Sequence, residues 1–206
     1  MQTKRNYQRE MEELLHASET PAHVLLHACC APCSSACLER LAPDAGIMLF
    51  FYNPNIIPET EYQYRLAELH RLVGEMPLPA LVPIIEGDYD PERFLAFARE
   101  MADEPERGAR CRKCIRMRLA EAAKAARAAG ADYFATTLTL SPHKDAVFIN
   151  TCGEELAAEY GVAWLPTDFK KKEGYKRSIE LSAAYGLYRQ NFCGCPFSRR
   201  DKEETV

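Results

Sequence analysis

Long apolar runs are missing from this 206-residue chain, and no segment approaches the roughly 20 apolar residues of a membrane-spanning helix. The opening MQTKRNYQREMEELL is charged throughout and has no apolar core, so it does not read as a secretory signal. A cytoplasmic location with no membrane partner is therefore expected. The phosphate-cradling glycine signatures are absent as well: there is no G-x-G-x-x-G, no G-x-x-x-x-G-K-[ST] and no S-G-G-x-D-S. No internal repeat, low-complexity tract or linker interrupts the chain. With 47% hydrophobic and 27% charged residues the composition is that of an ordinary globular protein, and the length suits one domain over 1–206.

What the chain has in excess is cysteine. Nine are present, four of them in HACCAPCSSAC (27–37) directly after the apolar run HVLL. In a reducing compartment these are not expected to be structural disulfides, and the odd count argues against a full set of bridges. Metal binding or redox chemistry is the expectation.

Hydrophobic periodicity predicts helices over 4–16, 58–76, 91–102, 115–129, 144–160 and 176–190, with another starting near Ser34. Strands are predicted over 23–28, 46–52, 80–86, 132–137 and 162–167, the third weakened by Pro83. A basic loop is expected to lead into the helix at 115. Strands alternating with helices argue for an α/β chain with a doubly wound parallel sheet. That core covers 22–167, and a basic, Cys-containing, largely helical extension follows over 168–206. HACCAPCS then falls where the first strand turns into the first helix, a place where open α/β sheets bind ligands. The helix N-terminus there favours negative charge, and so thiolates or an anionic cluster.

Three cysteine groups stand out: Cys29, Cys30 and Cys33 as C-C-x-x-C, Cys111 and Cys114 as C-x-x-C, and Cys193 and Cys195 as C-G-C. Cys37 and Cys152 read as small buried side chains. Two groups meeting at one sheet end suit four-thiolate zinc or an iron–sulfur cluster, and spacing alone leaves both open. The C-G-C pair can close only a tight, easily reduced ring, which suits a dithiol/disulfide couple; further metal ligation is the alternative. Adjacent Cys29 and Cys30 would point apart in an extended strand, so both reach one metal only if the chain turns there. Ligation by Cys30 and Cys33, with Cys29 serving elsewhere, is the competing arrangement.

The net charge of −4 is unevenly spread. Residues 106–118 and 168–202 each carry +5, leaving −14 for the remainder, a pattern that suits a basic face for a polyanion. Lys170, Lys171, Lys172, Lys176 and Arg177 are the candidate phosphate contacts, with Arg110 and Arg112 nearer the cysteines. Tyr185, Tyr188 and Phe192 either stack on splayed bases or form the core face of a helix.

Taken in order, HACCAPCS, YNPNI with EYQYR, RCRKC, TTLTLSPHK, DFKKKEGYKRS and YGLYRQNFCGC resemble the cobalamin-independent epoxyqueuosine reductases, the QueH family, over residues 22–198. The resemblance implies a Rossmann-like fold of nucleotide-hydrolase-like layout and reductive removal of the epoxide oxygen of epoxyqueuosine at the tRNA wobble position. It implies a 4Fe–4S cluster on Cys29, Cys30, Cys111 and Cys114, and a redox-active pair in Cys193 and Cys195. Cys33 matches a family cysteine of less settled role, with a second, mononuclear iron as one reading. A tRNA with a queuosine-type anticodon and an external electron donor are the implied partners. The reaction takes two electrons and two protons; His27, His143, Asp168 and Tyr52 are proton-donor candidates, none of them secure. Two rivals stand beside this reading. An ATP-dependent tRNA-modifying enzyme of similar fold is disfavoured by the missing S-G-G-x-D-S, and an RNA-binding zinc module leaves C-G-C unexplained.

Overall fold

A computed structural model describes residues 5–17 and 19–198; Lys4 of the first expected helix and the cations Arg199, Arg200 and Lys202 lie outside the described residues. Five strands, β1 (Ala22–His27), β2 (Ala45–Phe51), β3 (Ile84–Glu86), β4 (Tyr133–Thr136) and β5 (Ala163–Trp164), form one parallel sheet in the order β3-β2-β1-β4-β5. Among the described residues the helices are α1 (Tyr7–His16), α2 (Ala31–Leu41), α3 (Glu59–Glu75), α4 (Pro91–Ala98), α5 (Ala109–Ala129), α6 (Ala146–Tyr160) and α7 (Gly174–Ala184). None of them is long and apolar enough to cross a membrane. The doubly wound α/β expectation is borne out.

Side-chain alternation along the strands divides the core into two layers. Val24 and Leu26 of β1, with Ile47, Leu49 and Phe51 of β2, pack on α1, α2, α3 and Leu181 of α7. Leu25, Phe50, Phe134 and Trp164 face the opposite side, against Ile115, Leu119 and Ala122 of α5 and Ile149 and Leu156 of α6. A third, smaller cluster joins Phe94, Phe97 and Ala98 of α4 to Cys114 and Cys195. From β1 the sheet grows first toward β2 and β3 and then toward β4 and β5. The carboxyl ends of β1 and β4 therefore flank the topological switch point, where a crevice forms.

Four of the boundaries that differ from expectation have a plain physical reason. β3 starts only at Ile84, because Pro83 has no N–H and offers the ladder just its carbonyl, which accepts from Leu49 N at 2.8 Å. Helix α2 starts at Ala31 rather than near Ser34, with Pro32 in its first turn and extended Cys30 as its N-cap. Helix α5 starts at Ala109, so Cys111 and Cys114 lie on its first turns and not in a loop. Arg110, Arg112 and Lys113 oppose the helix dipole there; Glu104 offsets this by accepting from Ala109 N at 3.0 Å. Helix α7 ends at Ala184 because Gly186 takes a left-handed φ of 58°, and Leu187 N–H returns to Ser182 O at 2.8 Å. Tyr188 and Phe192 therefore lie beyond the helix and do not form its core face.

Candidate metal centre and dithiol pocket

The chain does turn after β1. Strand geometry stops at His27, and Cys29 and Cys30 occupy the bend into α2, with their sulfurs 3.7 Å apart. Cys33 follows in the first helical turn, so the three Sγ atoms of Cys29, Cys30 and Cys33 lie within 4.8 Å of one another. Thr137, just past β4, donates from Oγ1 to Cys29 Sγ at 3.4 Å. Hydrogen bonds from Cys30 and then Cys33 hold the Cys29 thiol well below its ordinary range, with help from the Arg118 charge. The neighbouring Cys29 thiolate conversely pushes Cys30 up to about 12 and Cys33 well above its usual value. One negative charge is thus shared over three soft sulfur donors at a helix N-terminus, a donor set that suits zinc or iron and can hold a metal ion.

His27 is fully buried behind this turn, and burial first, then the Arg118 charge, lowers its pKa to about 3. It is neutral, with Nε2–H donating to the Tyr52 carbonyl at 3.2 Å and Nδ1 accepting from Thr136 Oγ1 at 2.8 Å. It therefore clamps the ends of β1, β2 and β4 together through a neutral ring whose one N–H is held by the Tyr52 carbonyl. His143 is exposed and faces Arg107 Nη2 at 3.4 Å, while Asp168 pairs with Lys170 Nζ at 2.5 Å.

Cys111 and Cys114 stand outside the three-sulfur group. Cys111 Sγ accepts from Arg107 N–H at 3.3 Å, and Cys114 is buried, its thiol pushed up to about 11 chiefly by that burial. One turn further along α5, Arg118 lines the same cavity as Cys29, Cys30 and Cys33. This links the second C-x-x-C to the switch point. Arg110 is a correction to the expected phosphate contacts. It is 2% exposed, donates to Met101 O and Ala102 O at 2.7 and 2.8 Å, and lies over the Phe197 ring, so no phosphate can reach it.

The C-G-C pair, both free thiols, is carried to this cavity by a tail docked on residues 55–65 of the first half of the chain. Ile57 N–H donates to Gly194 O at 3.0 Å, and Asn55 Nδ2 and Arg65 Nη1 both donate to Cys193 O at 3.3 Å. Arg65 also reaches Phe192 O at 3.4 Å, covers the Phe192 ring and pairs with Glu61 at 2.7 Å. YNPNI and EYQYR are therefore the tail's dock. Gly194 has φ 97°, and a Cβ there would stand 2.7 Å from Ile56 Cγ1, so glycine is required on two counts. The two thiols differ. Cys193 lines the cavity and is held well below its ordinary range, by the Cys195 hydrogen bond and by the Lys144 charge. Cys195 is buried against Phe94, Phe97 and Cys114, and its thiol is pushed far up by the Cys193 thiolate and by burial.

The cavity measures about 960 Å³ and is cationic, with Arg65, Arg107, Arg118, Lys144 and Arg189 on its wall against Glu106. Tyr175 and Ser178 of α7 also border it. The expected basic face is largely neutralised: Lys170, Lys172, Lys176 and Arg177 pair with Asp168, Glu12, Glu173 and Glu39, respectively. The exposed pairs among them hold only ~0–1 kcal/mol, so a phosphate can displace them, whereas Asp168 is buried beside a half-buried Lys170. Lys171 is exposed, and Arg112 is exposed over the Phe148 ring. Tyr188 meets Tyr64 edge-on at 4.9 Å, and Tyr185 is half-buried. Sequence reasoning missed Arg65, Asn53, Asn55, Arg118 and Thr137 as parts of this site, although all lie within or beside the motifs that it singled out.

A family model described as epoxyqueuosine reductase QueH matches residues 24–201. The chain is similar to proteins named epoxyqueuosine reductase QueH from Staphylococcus epidermidis (42% identical; 95% of this chain, 85% of that one) and Staphylococcus aureus (43%; 95% and 84%). It is also similar to the protein of that name from Thermotoga maritima (34%; 89% and 95%).

Proposed function

Since the chain belongs to the epoxyqueuosine reductase QueH family, we propose that its switch-point cavity is where an epoxyqueuosine nucleotide of tRNA is reduced. The protein is an oxidoreductase of queuosine biosynthesis, and the division of labour within the site is our reading. The observation that carries it is one cavity lined both by three clustered thiols and by the thiolate member of a dithiol. Removing the epoxide oxygen as water takes two electrons and two protons. A dithiol closing to a disulfide releases the same number of each, so epoxide plus two thiols gives alkene, disulfide and water. Cys193 and Cys195 are assigned that role.

Cys29, Cys30, Cys111 and Cys114 are assigned to hold a 4Fe–4S cluster, with Cys33 free to ligate a second, mononuclear iron. When bound, the cluster supplies electrons one at a time from an external donor. The residues fit such a group: the donors are soft, one is already ionised, and buried Arg118 offsets anionic charge. Protein purified without oxygen is expected to be brown, with about four irons and four sulfides per chain in the cluster. A colourless protein that carries zinc and refuses iron–sulfur reconstitution would favour the RNA-binding zinc module instead.

The substrate is assigned as a tRNA with a queuosine-type anticodon, its phosphates meeting Arg107 and Arg189 on the cavity wall and the exposed Lys171 and Arg112. About four contacts to a single-stranded loop imply roughly a 50-fold loss of affinity between 50 and 200 mM salt. Filter binding of the cognate tRNA across that range checks this, and a flat response would remove the cationic rim from the account.

A further inference from the structure

We propose that Arg118 sets the reduction potential of the metal centre held by the switch-point thiolates, as a positive charge locked in place by Asn53. This rests on the metal-centre reading above and adds to it a residue that ligates nothing. Arg118 is 5% exposed, in the wall of the cavity that also exposes Cys29, Cys30 and Cys33. On α5 it stands one turn from Cys114, so its field falls on both halves of the assigned ligand set.

The charge cannot swing away. Arg118 Nη2 donates to Asn53 Oδ1, and Asn53 Nδ2 donates to the carbonyl of Ala28 at 2.9 Å, immediately before Cys29. The guanidinium is thereby tied to the same backbone that presents the first thiol. It takes no part in an ion pair among the described residues, and its Nε is buried without a hydrogen-bond partner. A buried cation with no carboxylate beside it is costly unless something anionic occupies the cavity. A thiolate-bound cluster is anionic and gains a further negative charge on reduction. A fixed cation therefore favours the reduced form and raises the potential. Lys144 adds charge to the same cavity, but it keeps 14% exposure and faces Glu106 at 3.8 Å, so its field is weaker.

The test is a potentiometric titration of the anaerobically loaded protein, followed by visible bleaching and by the EPR signal of the reduced centre. Arg118→Gln is expected to shift the reduced-to-oxidised ratio at least tenfold toward oxidised at a fixed poise, ~59 mV more negative for one electron. Arg118→Lys, which keeps the charge, is expected to stay within threefold of the unsubstituted protein, and Lys144→Gln to move less than Arg118→Gln. If Arg118→Gln does not fold, Asn53→Asp supplies the readout: a carboxylate on the guanidinium neutralises its field, and the same negative displacement is expected. An unmoved potential in a loaded Arg118→Gln or Asn53→Asp protein overturns the proposal, as does an Arg118→Lys shift equal to that of Arg118→Gln. An unsubstituted protein that holds no iron removes the metal-centre reading, and the proposal falls with it.

Discussion

Serine in place of either Cys193 or Cys195 is expected to bring multiple-turnover reduction of epoxyqueuosine in tRNA below ~0.1% of the unsubstituted protein, with iron content unchanged. Serine keeps the size and a hydroxyl donor but cannot form a disulfide, so the two-electron, two-proton exchange has no second partner. Full turnover in either variant would remove the dithiol from the mechanism. The structure also separates the two thiols. Cys193 lines the cavity as a thiolate, whereas Cys195 packs against Phe94, Phe97 and Cys114 and keeps its proton. Only the thiolate reacts with iodoacetamide. Because the Cys193 pKa is depressed, its labelling should persist as pH falls below the ~8.5 of an ordinary thiol, where an unperturbed cysteine stops reacting. Cys193 should therefore label first at pH 7, and it should still label in Cys195→Ser. Cys195 should label slowly in Cys193→Ser, because the apolar packing around it is unchanged. Equal labelling of the two would contradict this division of roles.

The sheet was readable because parallel strands buried on both faces leave continuous apolar runs, and the alternation with helices then has few topologies open to it. HVLL followed by a cysteine-rich turn locates the switch point, and the turn that brings the Cys29 and Cys30 sulfurs together answers a condition that the sequence itself posed. The helix carrying Cys111 was misread because its first turn is cationic and lacks an acidic residue; the compensating Glu104 acts from outside the helix. The end of α7 was misread for a different reason: Gly186 carried the stop signal, but the aromatic spacing of Tyr185, Tyr188 and Phe192 imitated a continuing helix face. Arg110 and Arg118 both belong to one basic run, and charge counting treats them as solvated. Both are buried, and what each one meets separates them: Arg110 spends itself on carbonyls, whereas Arg118 lines the cavity of the thiols. Arg65 was the least legible. With Glu61 four residues before it, it reads as a solvated helical ion pair, and its role depends on a tail 128 residues further along.

Arg65→Ala carries the second large effect, and it should fall on the tail rather than on the sheet. The guanidinium is 2% exposed and divides itself among Glu61, Cys193 O, Phe192 O and the Phe192 ring. Removing one partner of a buried ion pair costs roughly 3–5 kcal/mol, because Glu61 is left uncompensated and two carbonyls lose charged donors. What remains to hold the C-G-C segment includes Ile57 N–H on Gly194 O, Asn55 on Cys193 O, Arg110 over the Phe197 ring and the packing of Cys195 beside Phe94 and Phe97. Neutral bonds of that kind contribute only about 1 kcal/mol each, so the docking equilibrium, not the global fold, should give way first. The core layers on either side of the sheet contain none of these contacts. Arg65→Ala is therefore expected to keep native circular dichroism while Cys195 becomes rapidly alkylated and turnover drops by ~10²-fold or more, as ~3 kcal/mol of lost docking dictates. Arg65→Lys should fall between, since an ammonium can pair with Glu61 but cannot reproduce the planar fork that spans both carbonyls. A Cys195 that stays protected in Arg65→Ala, with turnover within twofold of the unsubstituted protein, would show that the dithiol segment is held by its own packing and not by Arg65.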